Sequence, residues 1–231
     1  MPTTSTSLRP AVLICEDSRM DRMRFRNLLS PCGIAWDFAW AWRKEDRCSV
    51  VSWFERLSGH NSPAPQPTQA LNTYLRSLNA SAENIVWDGL GRYQVLLLDL
   101  AWTNAAESEM QTLQLLSARE GYCLATADIN NTDVSTMDGA LSDQLYRLLA
   151  NVDGLTLLEW MKRLSSRLQL RPPLVWVTSA YVPASAEGIR EFLRVRYGVL
   201  DGQLFHKWMD EDNLVATLTK VLEDGDSNAS R

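Results

Sequence analysis

The chain has 231 residues, of which 45% are hydrophobic and 22% charged, with 23 Lys and Arg against 28 Asp and Glu and a formal charge of -5. That mild acidity, with no dense basic block, argues against broad electrostatic nucleic-acid binding, and no apolar run approaches the roughly 20 residues of a membrane helix. At this length, one domain with large insertions and two small domains are both open. Cys15, Cys32, Cys48 and Cys123 form no C-x-x-C pair and His60 and His206 are the only histidines. A Cys/His metal centre is therefore not expected, the thiols read as reduced, and the expected compartment is the cytoplasm.

The clearest elements are short apolar runs that stop at polar residues, as buried parallel strands do at the carboxyl edge of a sheet. Ala11-Val-Leu-Ile-Cys15 ends at Glu16-Asp17. Ser18 then caps an expected helix to Leu29, with Met20, Met23 and Leu28 on one side and Gly33 as the stop. A strand near Ala35–Ala41 follows. After it come a helix near Ser49–Leu57, a Pro-rich loop over Ser62–Pro67 and a helix around Gln69–Leu78.

Val95-Leu-Leu-Leu98 is the next strand and ends at Asp99. Two helices, near Ala105–Ala118 and Gly139–Ala150, flank a polar Asn/Asp/Thr loop. Leu155, Leu158, Met161, Leu164 and Leu168 then recur at helical steps from Asp153-Gly154. Leu174-Val-Trp-Val177 ends at Thr178-Ser179, a helix runs from a Ser185 cap to Arg196 and closes at Gly198, and Gln203-Leu-Phe-His206 ends at Lys207. Asp210 caps a last helix carrying Leu214, Leu218 and Leu222, and a polar tail over 224–231 is expected to be disordered. Alternating strands and helices predict an α/β fold with a parallel sheet.

Ligands of open α/β sheets bind at the carboxyl ends of the strands. Glu16, Asp17, Asp99, Thr178, Ser179 and Lys207 all fall there. Clustered carboxylates repel one another unless a cation sits between them, and an all-oxygen set favours Mg²⁺. A carboxylate beside Mg²⁺ can also act as a nucleophile toward phosphorus, with a Lys and a hydroxyl neutralising the phosphoryl oxygens.

Five segments in order, Ile14-Cys-Glu-Asp-Ser18, Val95-Leu-Leu-Leu-Asp-Leu100, Asp153-Gly-Leu-Thr-Leu-Leu158, Val175-Trp-Val-Thr-Ser-Ala180 and Phe205-His-Lys207, resemble the receiver domains of two-component response regulators. The resemblance implies a flavodoxin-like (βα)5 fold with sheet order 2-1-3-4-5. It also implies Asp99 as phospho-acceptor from a histidine kinase or histidine phosphotransfer protein, and Mg²⁺ held by Glu16, Asp17, Asp99 and the Ala101 backbone carbonyl. Ser179, or alternatively Thr178, would bond the phosphoryl oxygen, and Lys207 would pair with the phosphoryl group or Asp99.

The departures are Trp208 where the family carries Pro, Leu204 where it carries an aromatic residue, and Trp102-Thr103 after the acceptor in place of Met-Pro. Gly154 also stands far downstream of Asp99. The expected organisation is one receiver-like domain over 1–223 with insertions at about 43–90 and 103–150. The second insertion is expected to be either a lid over the site or a decoration packed to one side, and the first a partner or homodimer surface. Of the nine tryptophans, Trp36, Trp40 and Trp42 share a strand face, while Trp102 and Trp208 are expected at the rim of the site.

No DNA-binding region is expected after Leu222, so output would run through an unidentified protein partner, with no nucleic acid and no membrane. The chain would not be an enzyme beyond its own phosphotransfer and dephosphorylation. One alternative is a phosphorylation-independent pseudo-receiver acting as an interaction scaffold. Another is a haloacid-dehalogenase-like phosphohydrolase, which would need a second Asp where Ala101 stands.

Overall fold

The computed structural model describes residues 11–16, 18–38, 93–101, 104–129, 131, 133–168, 173–182 and 186–229. In chain order these form β1 (Val12–Cys15), α1 (Arg19–Leu29), β2 (Trp36–Phe38), β3 (Val95–Leu98), α2 (Asn104–Gln114), α3 (Ala118–Thr126), α4 (Met137–Asn151), α5 (Asp153–Leu168), β4 (Leu174–Ser179), α6 (Glu187–Tyr197), β5 (Leu204–His206) and α7 (Glu211–Ala229). The fold is α/β. Its strands stand in the order β2-β1-β3-β4-β5, and every neighbouring pair is parallel. The expected helices at 49–57 and 69–78, the Pro-rich loop, Cys48, Trp40, Trp42 and the end of the second strand lie outside the described residues, as do Asp17, Trp102 and Ser185.

Side-chain alternation along the strands divides the core into two layers. Val12, Ile14, Val95, Leu97, Trp176 and Phe205 point to the face covered by Phe25 and Leu29 of α1 and by Leu214 and Leu218 of α7. Leu13, Cys15, Leu96, Leu98, Val177 and Leu204 point to the opposite face, under apolar residues of α2, α3, α4, α5 and α6. Because both faces are covered, β1 and β3 are apolar at every position, and all eight of their residues are buried.

Several local expectations change. In α1 the inward residues are Phe25 and Leu29, one helical turn apart, while Met20 and Met23 are exposed by 76% and 52%. The helix expected over 105–118 is shorter, and a further helix that was not expected follows it. Helix α2 ends at Gln114, and Ser117 starts α3 with a capping box, its hydroxyl accepting from Glu120 N while the Glu120 carboxylate accepts from Ser117 N. Helix α4 begins at Met137 because the Thr136 hydroxyl accepts from Gly139 N. The residue before α6 is Ala186, which makes no side-chain cap.

The carbonyl of Asp210 accepts the first helical bond of α7 from Leu214 N, and its carboxylate accepts from His206 N. Helix α7 continues to Ala229, so 224–229, expected as part of a tail, extends the helix. No Pro interrupts that stretch, and its backbone carries on the helical ladder past the last apolar position. Gly33 and Gly198 close their helical segments in the left-handed conformation.

Helices α2 to α4 pack against α5 and α6 as part of one core layer, so the described part of the second insertion lies beside the sheet. The segment enters and leaves at a single point, where Gly154 N donates to Leu100 O at 3.1 Å. Gly154 is required there, because a Cβ would lie 2.5 Å from Asp99 O and 2.6 Å from Leu100 Cα. Among the described residues no helix is long and apolar enough to cross a membrane.

Candidate functional site

The register brings the strand ends level. Cys15 pairs with Leu98, Leu98 with Val177, and Ser179 with His206, so the residues following β1, β3 and β5 emerge at one edge beside the end of β4. Glu16 and Asp99 are both buried there. Asp99 is fixed by its backbone N–H, which donates to Cys15 O at 3.0 Å. Glu16 accepts from Ser18 N through Oε1 at 2.9 Å, and Arg22 donates to the Glu16 carbonyl at 3.0 Å.

Lys207 closes the group. Its Nζ lies 2.7 Å from Glu16 Oε2, 2.9 Å from Asp99 Oδ2 and 3.1 Å from Asp21 Oδ2. An ammonium has three N–H donors, and here three carboxylates face it. Thr178 and Ser179 are buried at the adjoining end of β4. The Ser179 hydroxyl accepts from Tyr181 N at 3.2 Å, and its carbonyl accepts from Lys207 N at 3.4 Å. Ala101 is half-buried just past Leu100.

Charge balance follows from burial. The Glu16 carboxyl is pushed up to about 8, first by burial and then by the neighbouring charge of Asp99, with Lys207 pulling the other way. Burial alone would lower Lys207, but Asp99 and Glu16 outweigh it and hold the ammonium charged. One cation cannot fully compensate two buried anions, so the shortfall falls on Glu16. Asp21 is less buried, and although burial opposes it, Lys207 and the hydrogen bonds from Trp208 and Ser18 hold its carboxyl below the usual range. The buried Cys15 thiol is pushed up, mainly by burial and further by Glu16, which makes it a poor nucleophile.

Of the residues expected at the site, Glu16, Asp99 and Lys207 meet directly, and Ser179 joins Lys207 through the backbone. Asp17 is outside the described residues. Asp21 belongs to the cluster although its sequence setting does not announce it; the available signal is its place three residues after the Ser18 cap, in the first turn of a helix leaving the site. Trp208 is half exposed, and its Nε1 donates to Asp21 Oδ1 at 3.3 Å. Its ring meets His206 edge-on with centroids 6.0 Å apart. Leu204 is a buried core residue.

Among the described residues no three His, Cys, Asp or Glu side chains form a group able to hold a metal ion. Glu16 and Asp99 do converge, since both reach the same nitrogen, and their oxygens suit a hard cation such as Mg²⁺. A metal there would have to share the space with the Lys207 ammonium.

A second buried ion pair lies elsewhere. Arg196 donates to Glu159 at 2.8 and 3.1 Å and to the carbonyls of Ala125 and Ala127, and Tyr197 donates to Glu159 at 3.3 Å. This network ties α5, α6 and the end of α3 together. No protein-family profile, curated protein or solved structure matches this chain.

Proposed function

We propose that the chain is a phospho-acceptor of the receiver type, with a flavodoxin-like sheet and Asp99 as the acceptor. The observation that supports this best is the buried Glu16–Lys207–Asp99 triangle at the carboxyl edge of a parallel sheet. In the proposed reaction an Asp99 oxygen attacks the phosphorus of a phosphohistidine on a histidine kinase or phosphotransfer protein. An O–P bond forms, the P–N bond breaks, and the imidazole leaves as a neutral ring after taking a proton. Lys207 neutralises the transferred oxygens, and Ser179, or Thr178, supplies a hydroxyl to them.

Mg²⁺ would be held by Glu16 and Asp99, with Asp17 and the Ala101 carbonyl completing the set implied by the receiver resemblance. Its chemistry is charge neutralisation of the phosphoryl group. The donor partner would approach over Trp208 and Met209, exposed residues at the Asp21–Trp208 hydrogen bond and next to it in the chain. The signal would then pass by protein contacts.

Beryllofluoride with Mg²⁺ is expected to give a saturable change in tryptophan fluorescence in the wild type and none in Asp99→Asn. No saturable response in the wild type overturns the proposal.

A second reading, a scaffold that works without phosphorylation, draws on the same triangle, because Lys207 already occupies the place between the acids where a cation would sit. It predicts that Asp99→Asn leaves partner binding intact.

A further inference from the structure

The three carboxylates around Lys207 are not equivalent. The side chains of Glu16 and Asp99 are 1% and 4% exposed, whereas that of Asp21 is 16% exposed and has the longest contact, 3.1 Å against 2.7 and 2.9 Å. Three carboxylates lie within ion-pair distance of one ammonium, which donates a hydrogen bond to Asp99, so a new acceptor oxygen arriving at Asp99 must compete with them for Lys207. Losing the ammonium would strand Asp99 as a buried anion and take from Glu16 Oε2 its one neighbouring cation, at heavy cost. Asp21 can instead be taken up by water, and it is therefore the partner that yields.

The other oxygen of Asp21 accepts from the Trp208 indole. One carboxylate thus holds both the ammonium and the ring of adjacent residues on the turn after β5, and it does so from the first turn of α1. Freeing one oxygen lets the carboxylate turn, and the indole turns with it.

We propose that Asp21 is a positioning residue that competes with the incoming phosphoryl group for Lys207 and relays the exchange to Trp208. The inference rests on the phospho-acceptor reading. Asp21 acts through Lys207 and does not touch the reacting atoms. It sets how readily the site loads, and Trp208 reports the loading at the surface. A neighbouring acid supplies the control, since Glu211, the first residue of α7, pairs with Arg24 of α1 and not with Lys207.

The test is beryllofluoride titration at fixed Mg²⁺, read by tryptophan fluorescence and by the indole ¹H–¹⁵N resonance that Trp208→Phe removes. Removing the competing anion in Asp21→Asn should tighten beryllofluoride binding about fivefold to tenfold. Asp21→Ser, a second variant with a small side chain, should do the same. Glu211→Gln, with the same change in charge, should leave affinity unaltered, and the Trp208 indole resonance should shift on loading in the wild type. Unchanged or weaker binding in both Asp21 variants, with an Asp99-dependent response in the wild type, overturns the role of Asp21 and leaves the acceptor reading standing. An equal gain in Glu211→Gln reduces the effect to general charge and also overturns it. Absence of any Asp99-dependent response overturns both.

Discussion

Glu16 sits 2.7 Å from the Lys207 ammonium and shares it with Asp99, and this has a consequence for stability. In the folded chain Glu16 keeps its proton up to about 8, whereas its ordinary value is 4.5. Between those limits the native state binds a proton that the unfolded state has released. Stability is therefore greatest below about 4.5 as far as this group is concerned, and falls as pH rises through the window, with a limiting slope of about 1.4 kcal/mol per pH unit. Urea unfolding of the wild type between pH 5 and 8 should show the decline, and Glu16→Gln should flatten it. Glu16, Asp99 and Lys207 were legible in the sequence because each follows directly on a buried strand, where a polar residue is conspicuous. Asp21 was not, because it stands among Arg19, Arg22 and Arg24 in an amphipathic helix, where a charged residue is ordinary. The Glu159–Arg196 pair escaped for a similar reason, since the two residues are brought together only by the packing of α5 on α6.

At the scale of elements, α3 and α6 meet through glycines. A Cβ on Gly121 would overlap the backbone of Gly188, and one on Gly188 would lie 2.6 Å from Leu116 O. The helices therefore pack with their backbones nearly touching, and Arg196 fastens the end of α3 to the same helix. Gly121→Val should force them apart and lower stability by about 2 kcal/mol or more, read by thermal unfolding. Strands β1 and β3 could be placed from the sequence because four-residue apolar runs bounded by polar residues have few other uses, and β4 and β5 because their apolar runs end at Thr178-Ser179 and Lys207 in the same way. The break between α2 and α3 was obscured by helix-forming residues on both sides, and only Ser117 with Glu120 marks it. Met20 and Met23 misled because hydrophobicity alone cannot say which side of α1 faces the sheet; Phe25 and Leu29, stacked one turn apart, decide it.

Over the molecule as far as the described residues reach, the two sheet faces are loaded unequally. One carries α1 and α7, the other five helices, of which α2, α3 and α4 lie between Leu100 and Asp153. Met110, Leu113, Leu124, Leu145, Leu148 and Leu149 from those helices are buried at 2% exposure or less. At roughly 2 kcal/mol for each buried side chain, their loss is of the order of the 5–15 kcal/mol that holds a typical domain together. Replacing residues 103–152 by a short Gly/Ser linker should therefore give a chain without a cooperative unfolding transition by circular dichroism, although the ends to be joined are already adjacent.

That adjacency also bears on how the chain reaches its native state. Strands β3 and β4 pair in register, Val95 with Leu174 and Leu98 with Val177, across a long stretch of sequence, and distant pairings of this kind slow folding. Once Gly154 seats on Leu100, the intervening helices form a closed side loop, and only α5 remains between the two strands. The search is then reduced to that of an ordinary strand–helix–strand crossover. A backbone contact that holds a helix against the loop after Asp99 thereby also shortens the path between the two central strands to the length of one crossover.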